Sequence, residues 1–291
     1  MTGLLAHLGT GVTTTCRCWA LTRRDGMVMG FTDHDRALAF EGVAFRPDTG
    51  MNALALQQTT GLSVDNTEAL SALSDEAIRE ADIEAGRYDG AELRAWLVNW
   101  QDVTARSLIF RGTMGELRRA GGAFEAELRG LTDALNVPSG RVYQKACSAI
   151  LGDRTCTFDL DTPGYVLERP AETVDDNRVF HFAEMGGFED DWFRHGVIRV
   201  LSGAATGLIG LIKRDRSDGA GRVIDLWHPF GATVAPGDAL RIEAGCDKRM
   251  ATCQFKFDNL LNFQGFPDIP GDDWTITDPT KSAHLDGGSR R

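Results

Sequence analysis

Residues 245–253 read Gly-Cys-Asp-Lys-Arg-Met-Ala-Thr-Cys and contain two of the chain's six cysteines, Cys246 and Cys253. Two others, Cys147 and Cys156, lie far upstream in a second short stretch. Only tertiary structure can bring the two pairs together, because a long run of predicted strands separates them. Four thiols in two such clusters are typical of one four-sulfur metal site. The pattern therefore predicts a site that ties two distant segments of the chain together.

The spacing within the pairs, C-x8-C and C-x6-C, bears on which metal the thiols would bind. Single-zinc sites usually have paired cysteines about two to four residues apart, which is closer than in either pair here. An iron–sulfur cluster offers one iron to each thiolate at a separate corner, so wider spacing suits it better. Zinc and a set of plain buried thiols stay open as alternatives, since cysteine is among the most buried residue types.

Cys16 and Cys18 form a separate C-x-C pattern inside a predicted strand. Alternate residues of a strand point to the same face of the sheet, so both thiols would lie on one side. Because small apolar thiols are usually buried, we interpret these two as packed core residues and not as metal ligands.

The composition of the 291-residue chain limits the classes of protein to which it can belong. Hydrophobic residues make up 42% and charged residues 25%, as in ordinary soluble proteins with a sizeable core. The net charge of −11 disfavours stable binding to nucleic acid or to an anionic membrane. The sequence shows neither a bilayer-spanning segment nor a secretory signal, so we expect synthesis in a reducing cytoplasm. Disulfides are then disfavoured as the role of the cysteines.

Short strands and hairpins dominate the first part of the chain. Gly26 and the dipeptide Glu41-Gly42 are turn signals, and each predicts a hairpin. One helix is predicted over residues 75–83, where Ser74 is placed to cap its first turn.

Residues 136–140, Asn-Val-Pro-Ser-Gly, mark a boundary because proline and glycine punctuate them. Two short helices are predicted beyond it, one over residues 141–151 that carries Cys147 and one over residues 247–257. Between these helices the pattern predicts five strands, over residues 179–183, 197–201, 208–212, 223–227 and 240–244.

Nothing in the sequence argues strongly for catalysis. The run Asp-His-Asp at residues 33–35 holds groups that could act as acid and base, but on a strand the histidine would point away from both carboxylates. In a turn the same residues would cap the local backbone. Three further histidines have no second ligand at metal spacing: His181, His195 and His228. Glycine-rich stretches lack the lysine and hydroxyl residue of a phosphate loop. We therefore predict a protein that is not an enzyme.

Residues 262–267, Asn-Phe-Gln-Gly-Phe-Pro, follow the second cysteine pair closely. Together with Gly-Cys-Asp-Lys at 245–248 and the upstream cysteines, they resemble the C-terminal signature of the L-type tail-tip minor tail proteins of long-tailed phages. The likeness is closer to the hub protein in the tail clusters of prophages and gene transfer agents. Residues 30–36, Gly-Phe-Thr-Asp-His-Asp-Arg, are similar to an early strand pair of that hub family. The resemblance extends over about residues 16–267.

The resemblance implies a structural hub protein at the distal end, the baseplate or tail tip, of a phage-type tail. It would form a ring, expected to be a homotrimer, that connects the distal tail protein to a larger central hub or fibre protein. Assembly would take place in the bacterial cytoplasm before the protein joins the particle. A [4Fe–4S] cluster is implied as well, with zinc as the alternative, on four ligands: Cys147, Cys156, Cys246 and Cys253. The competing interpretation is an iron–sulfur or zinc redox or sensor protein that uses the same thiols.

These observations together predict a β-rich α+β fold. A barrel-like N-terminal hub domain is expected over residues 1–137. A mostly antiparallel β domain, whose short helices carry the four-cysteine site, is expected over residues 138–271. Residues 272–291 are predicted to form a polar C-terminal tail.

Overall fold

The computed structural model describes residues 2–47, 66–67, 79–120, 123–131, 133–135, 140–183, 185–217 and 221–269. The chain forms two compact units, Met1–Ser139 and Gly140–Arg291. Each unit contains one large β-sheet, and the helices are few and short. The predicted class, a β-rich α+β protein, is confirmed.

The first unit is an eight-stranded sheet with the order β3-β4-β2-β1-β6-β7-β8-β5. All neighbours are antiparallel except β2 and β4, which run parallel. Its strands are β1 (Thr15–Thr22), β2 (Val28–Thr32), β3 (Leu38–Phe40), β4 (Val43–Arg46), β5 (Asn66–Thr67), β6 (Glu92–Asn99), β7 (Asp102–Ala120) and β8 (Ala123–Gly130). Its helices are α1 (Thr2–Leu8), α2 (Glu80–Glu84) and a 3-10 turn at Asp133–Leu135.

Both predicted hairpins of this unit are present. Gly26 turns the chain from β1 into β2 with a φ of 87°, and Arg23 N–H donates to Met27 C=O at 2.9 Å. Glu41 and Gly42 join β3 to β4 with φ values of 52° and 75°. Two positive φ values in a two-residue loop match the twist of antiparallel strands, which explains the glycine.

Residues 75–78 of the helix predicted over residues 75–83 lie outside the described residues, as does its predicted cap, Ser74. The described part is α2, whose first turn carries Glu80 and Asp82. Gly86 follows it with a φ of 68°, a conformation that suits a helix end.

The core of the first unit lies between the inward faces of β1, β2, β6 and β7. Cys16 and Cys18 are 6% and 0% exposed and belong to a second apolar cluster of this sheet. The Cys18 thiol contacts the Thr32 hydroxyl at 3.5 Å. The prediction that these two cysteines are packed core thiols is confirmed. Their main neighbours in the cluster are aromatic: Phe40, Phe45 and Trp96.

The second unit is a seven-stranded antiparallel sheet with the order β10-β11-β14-β13-β12-β15-β9. Its strands are β9 (Val166–Pro170), β10 (Thr173–Asp175), β11 (Val179–Phe182), β12 (Val197–Val200), β13 (Ile209–Ser217), β14 (Arg222–Leu226) and β15 (Ala239–Glu243). Four of the five predicted strands lie within about one residue of their predicted limits, while β13 runs on to Ser217.

This second sheet curls back on itself. Its two edge strands, β9 and β10, are consecutive in the chain and are joined by Ala171 and Glu172 alone. Such a link spans no more than about 11 Å, so the opposite edges of the sheet must lie close together. Ala171, which is 3% exposed, packs in the core at this junction. The alternating inward residues of the strands fill the space that the curl encloses.

A buried ion pair anchors the loop before β12 to this sheet. Asp215 on β13 and Arg222 on β14 are 0% and 2% exposed. The Arg222 guanidinium donates to both carboxylate oxygens, at 2.5 and 2.6 Å. It also donates to the carbonyls of Phe188 and Glu189, at 3.1 and 2.6 Å, while Phe193 N–H donates to the carboxylate at 2.7 Å. Every charged group of the pair therefore has hydrogen-bond partners, which buried charges require.

The helix predicted over residues 141–151 is not formed, and this prediction was wrong. Two backbone donors of the segment bond to distant partners and not to carbonyls four residues back. Cys147 N–H donates to Lys248 C=O at 2.9 Å, and Ser148 N–H donates to Gln264 C=O at 3.5 Å. Tertiary hydrogen bonds have replaced the helical pattern that the local sequence favours.

The second predicted helix is present but shorter. It is α3, Met250–Phe255, followed by a 3-10 turn at Leu260–Asn262. Cys253 lies on α3, whereas Cys246 lies in the loop before it. Among the helices of the described residues, none has the length and apolarity that a bilayer span requires.

The buried pair gives a direct test of this fold. We expect Arg222→Ala to lower the free energy of unfolding by about 3–5 kcal/mol, because it leaves the Asp215 carboxylate buried without its partner. Urea denaturation followed by tryptophan fluorescence measures the change. Arg214→Ala is the control, since the Arg214 side chain is 54% exposed and lies 3.8 Å from Asp225. Its loss should stay below about 1 kcal/mol, and equal losses in the two variants would contradict the role of the buried pair.

Candidate metal centre

Four cysteines from two distant segments line one small cavity in the second unit. They are the four cysteines singled out from the sequence: Cys147, Cys156, Cys246 and Cys253. All six cysteines of the chain lie within the described residues, and all are free thiols. The cavity has a volume of about 10 Å³. Its other lining residues are apolar, cationic or amide-bearing: Ala149, Leu151, Phe257, Lys248, Arg249, Asn259 and Asn262.

Asp153 shapes the loop that carries Cys156. Its carboxylate accepts hydrogen bonds from Cys156 N–H at 2.7 Å, from Thr155 N–H at 2.9 Å and from the Thr155 hydroxyl at 2.7 Å. Ile150 N–H donates to the second carboxylate oxygen at 2.9 Å. These donors, the Cys156 N–H foremost, hold the pKa of Asp153 well below its usual range. The charged form of Asp153 is therefore part of the folded loop.

Lys248 joins the loop before α3 to the segment that carries Cys147. Its carbonyl accepts the Cys147 N–H at 2.9 Å, and its side-chain ammonium donates to Ala149 C=O. Its φ is 66°, so the backbone is left-handed at this position. A non-glycine residue rarely takes that conformation unless surrounding contacts compensate. The two cysteine-bearing segments are thus bonded to each other directly.

Residues 262–267 pack on the first segment and explain the Asn-Phe-Gln-Gly-Phe-Pro run. Gln264 N–H donates to the Cys147 sulfur at 3.4 Å, and Phe266 N–H donates to Gln144 C=O at 2.9 Å. A Cβ on Gly265 would lie 2.6 Å from Lys145 C=O, closer than side chains are found. Glycine is needed here because two backbones approach each other.

Asn259 lines the same cavity, although the sequence analysis did not single it out. Its side-chain amide donates to Cys156 C=O at 2.6 Å and lies 3.6 Å from the Cys156 sulfur. Its backbone N–H donates to Cys253 C=O at 3.0 Å. The sequence feature that could have drawn attention to Asn259 is its position just beyond the predicted end of the second helix, where asparagine is common.

Burial and the charges of neighbouring groups raise the pKa values of two of the four thiols, Cys246 and Cys253. The pKa of Cys253 is raised to about 11, first by burial and then by the negative charge that the other three cysteines would carry. Burial also raises the pKa of Cys246. Metal binding must displace these protons, which makes it depend on pH. Lys248 and Arg249 line the cavity and supply positive charge against thiolates.

The donor set fits a sulfur-bound metal group, but the described side chains do not form the cage of a single ion. No group of three or more His, Cys, Asp or Glu side chains in the described ranges lies close enough to hold one ion. The cavity has room for about one water molecule. A larger group would therefore occupy space that the thiols and their loops now fill. The chemistry present is four soft donors, an apolar wall and two cations, which suits iron–sulfur binding.

The residues weighed as catalytic groups have ordinary structural contacts. Asp33 accepts the Arg17 N–H at 2.6 Å, and the His34 ring accepts the Arg36 N–H at 3.0 Å, as expected of a turn. His181 contacts Asp175 at 2.9 Å. His195 lines an open groove of about 740 Å³ beside α3, and His228 is exposed.

Comparison with known proteins places the chain in a family. A family model described as "baseplate hub protein, N-terminal attachment domain" matches residues 1–159, more than half of the 291 residues. The chain belongs to the phage baseplate hub family. The matched region includes Cys147 and Cys156, so in this baseplate hub protein the family likeness extends past the first compact unit.

Two further findings concern the second unit and the whole chain. A model described as "phage conserved hypothetical protein BR0599" matches residues 191–273. A solved chain from the virion of a native gene transfer agent particle is 56% identical, with a TM-score of 0.90 over 99% of each chain. Among curated proteins, none matches the sequence. The hub protein is therefore a structural protein of the phage-tail and baseplate class, as its sequence resemblance predicted.

The bound carboxylate of Asp153 gives the hub protein a pH-dependent stability. Its pKa is lowered on folding, so its contribution is present above about pH 4, the unfolded value, and is lost as the pH falls further. We expect the wild-type midpoint of urea unfolding to fall between about pH 4 and pH 2. Asp153→Asn should be less stable at pH 7 and should show a smaller fall. Identical pH profiles for the two proteins would contradict this assignment.

Proposed function

We propose that this protein is the hub at the distal end of a phage-like tail or gene transfer agent particle. In this proposal it forms a homotrimeric ring between the distal tail protein and a larger central hub or fibre protein, and a [4Fe–4S] cluster stabilises each subunit. The observation that carries the proposal is the convergence of four cysteines on one cavity in a member of the baseplate hub family. Assembly in the bacterial cytoplasm would precede incorporation at the tail tip.

The likeness to a virion protein supports the position in the particle. At 56% identity over 99% of the chain, the gene transfer agent protein shares the whole arrangement and not one domain. The family description attributes attachment to the N-terminal part. We infer that the first unit of this chain attaches to a neighbouring ring and that the second carries the cysteine site.

The residues around the cavity would each serve a bound cluster in a definite way. Cys147, Cys156, Cys246 and Cys253 would hold it by iron–thiolate bonds, which is the chemistry that the group itself supplies. Leu151 and Phe257 would exclude water, and Lys248 and Arg249 would balance the negative charge of the thiolates. The arrangement suits a structural cross-link, because it joins a segment that precedes the strands of the second sheet in the chain to one that follows them.

The stabilising effect of such a cross-link follows from the length of chain that it closes. A cross-link that closes a loop of about 100 residues is worth roughly 4–5 kcal/mol through the unfolded state, by analogy with disulfides. A cluster is preferred to zinc in this proposal because its ligands sit at separate corners. The four described thiols line one cavity, but no three of them lie close enough together to bind a single ion.

Metal analysis of protein purified without oxygen tests the cluster. We expect iron and acid-labile sulfide near about four each per chain and a broad visible absorption, all lost in Cys147→Ser and Cys253→Ser. Cys16→Ala is the matched control, since Cys16 is buried in the first unit and should not affect the iron content. Zinc at about one per chain would show that the site binds zinc and not a cluster. Folded protein without any metal would contradict the proposed cofactor.

The oligomeric state tests the ring separately. Light scattering after size exclusion, or electron microscopy of particles, should give three copies arranged around the tail axis. A monomer with a reversible redox couple tied to turnover would support the alternative of a redox or sensor protein.

A further inference from the structure

Asn259 contacts both cysteine pairs at once. Its side-chain amide donates to Cys156 C=O at 2.6 Å and lies 3.6 Å from the Cys156 sulfur. Its backbone N–H donates to Cys253 C=O at 3.0 Å, and its own carbonyl accepts the Cys253 thiol at 3.2 Å. Cys156 and Asn259 are 103 residues apart in the chain, so this one residue joins the first pair to the helix of the second.

The direction of the Asn259 amide is fixed by a neighbour. Asn262, in the 3-10 turn that follows, donates its side-chain amide to Asn259 Oδ1 at 2.7 Å. An asparagine side chain accepts at its oxygen and donates at its nitrogen. Because Asn262 uses the oxygen, the NH2 group must face Cys156. The amide is therefore held with its donors towards the sulfur and not free to turn.

We propose that Asn259 is the positioning residue of the four-cysteine set. Its amide holds Cys156 beside α3, the helix that carries Cys253, and its side-chain N–H towards the Cys156 sulfur sets how firmly an iron–sulfur cluster is retained. The second half of this inference rests on the proposed function. The first half concerns the protein without metal and stands on the hydrogen bonds alone.

General metal chemistry gives the expected direction of the effect. An N–H that points at a ligand sulfur withdraws electron density from it and favours the reduced, more negative cluster, so the reduction potential rises. It also favours the thiolate, which is the form that binds metal, over the neutral thiol, so the metal leaves more slowly. Gln264 makes a similar contact to Cys147 at 3.4 Å, but through its backbone N–H, which substitution does not remove. The Asn259 side chain is the contact that a variant can test.

Asn259→Asp is the first variant because it keeps the shape of the side chain and replaces its NH2 donor by a carboxylate oxygen, which only accepts hydrogen bonds. Asn177→Asp is its matched control: it makes the same chemical change in the same unit, where Asn177 Oδ1 accepts the Val234 N–H at 3.1 Å. Both proteins are loaded with iron and sulfide without oxygen. We expect Asn259→Asp to have a lower reduction potential and to lose iron to a chelator about tenfold faster, as the loss of one charge-assisted hydrogen bond implies. Asn177→Asp should behave like wild type.

A second variant tests the metal-free protein. Asn259→Ala should let Cys156 react severalfold faster with iodoacetamide, measured by mass spectrometry of the peptides, because the loop is no longer tied to Asn259. Cys147 in the same molecules is the internal control and should keep its wild-type rate. Circular dichroism checks that each variant is folded.

The outcomes separate this inference from the proposed function. If the wild-type protein takes up no iron, the proposed cluster is wrong. The reactivity of Cys156 in Asn259→Ala would then decide whether Asn259 positions Cys156. Iron uptake with unchanged potential, iron release and Cys156 reactivity in the Asn259 variants would overturn the inference and leave the cluster in place.

Discussion

The hydrogen bond from Cys147 N–H to Lys248 C=O, 2.9 Å long, is the contact on which the cysteine site depends. Cys147 lies in a loop that precedes the strands of the second sheet in the chain, and Lys248 lies in a loop that follows them. Neither loop has regular structure at that point. The Lys248 ammonium adds a second link, to Ala149 C=O. The left-handed backbone of Lys248 costs about 1–2 kcal/mol, which these two links offset. Further hydrogen bonds, from Asn259 to Cys156 and from Gln264 to Cys147, reinforce this join.

Close approach of backbones then sets the distances within the site. A Cβ on Gly245 would lie 1.7 Å from Arg194 C=O, and one on Gly265 would lie 2.6 Å from Lys145 C=O. Both glycines flank the cysteine-bearing segments, so a larger residue at either position would push a whole loop outward. The spacing of the thiols is thus decided by residues that carry no side chain. This explains why the runs at 245–248 and 262–267 each contain a glycine.

The sequence predicted the parts of this protein that depend on local pattern. Alternating residues located five of the seven strands of the second sheet but not β9 and β10, and Glu41-Gly42 located a turn. Both signals act over a few neighbouring residues. The two cysteine pairs line one cavity, whereas metal binding at these cysteines stays a prediction. The helix over residues 141–151 was predicted wrongly, since its donors are used by Lys248 and Gln264, which lie far along the chain. Asn259 was missed for the same reason: its partners are set by tertiary structure.

The hydrogen bonds around the thiols form a framework that consists of protein groups alone. Asp153, Asn259 and Lys248 each bond to a backbone group of Cys156 or Cys147, and these backbone groups are not the ones that bind metal. The raised pKa values of Cys246 and Cys253 favour the neutral form of these two thiols, which limits the charge repulsion between them. A zinc finger, by contrast, has no such framework and unfolds without its ion. The sheet and its loops would form first here, and a cluster would tighten a join that already exists. A structural protein that must persist in a particle gains from that order, because loss of the metal would loosen the site without unfolding the sheet.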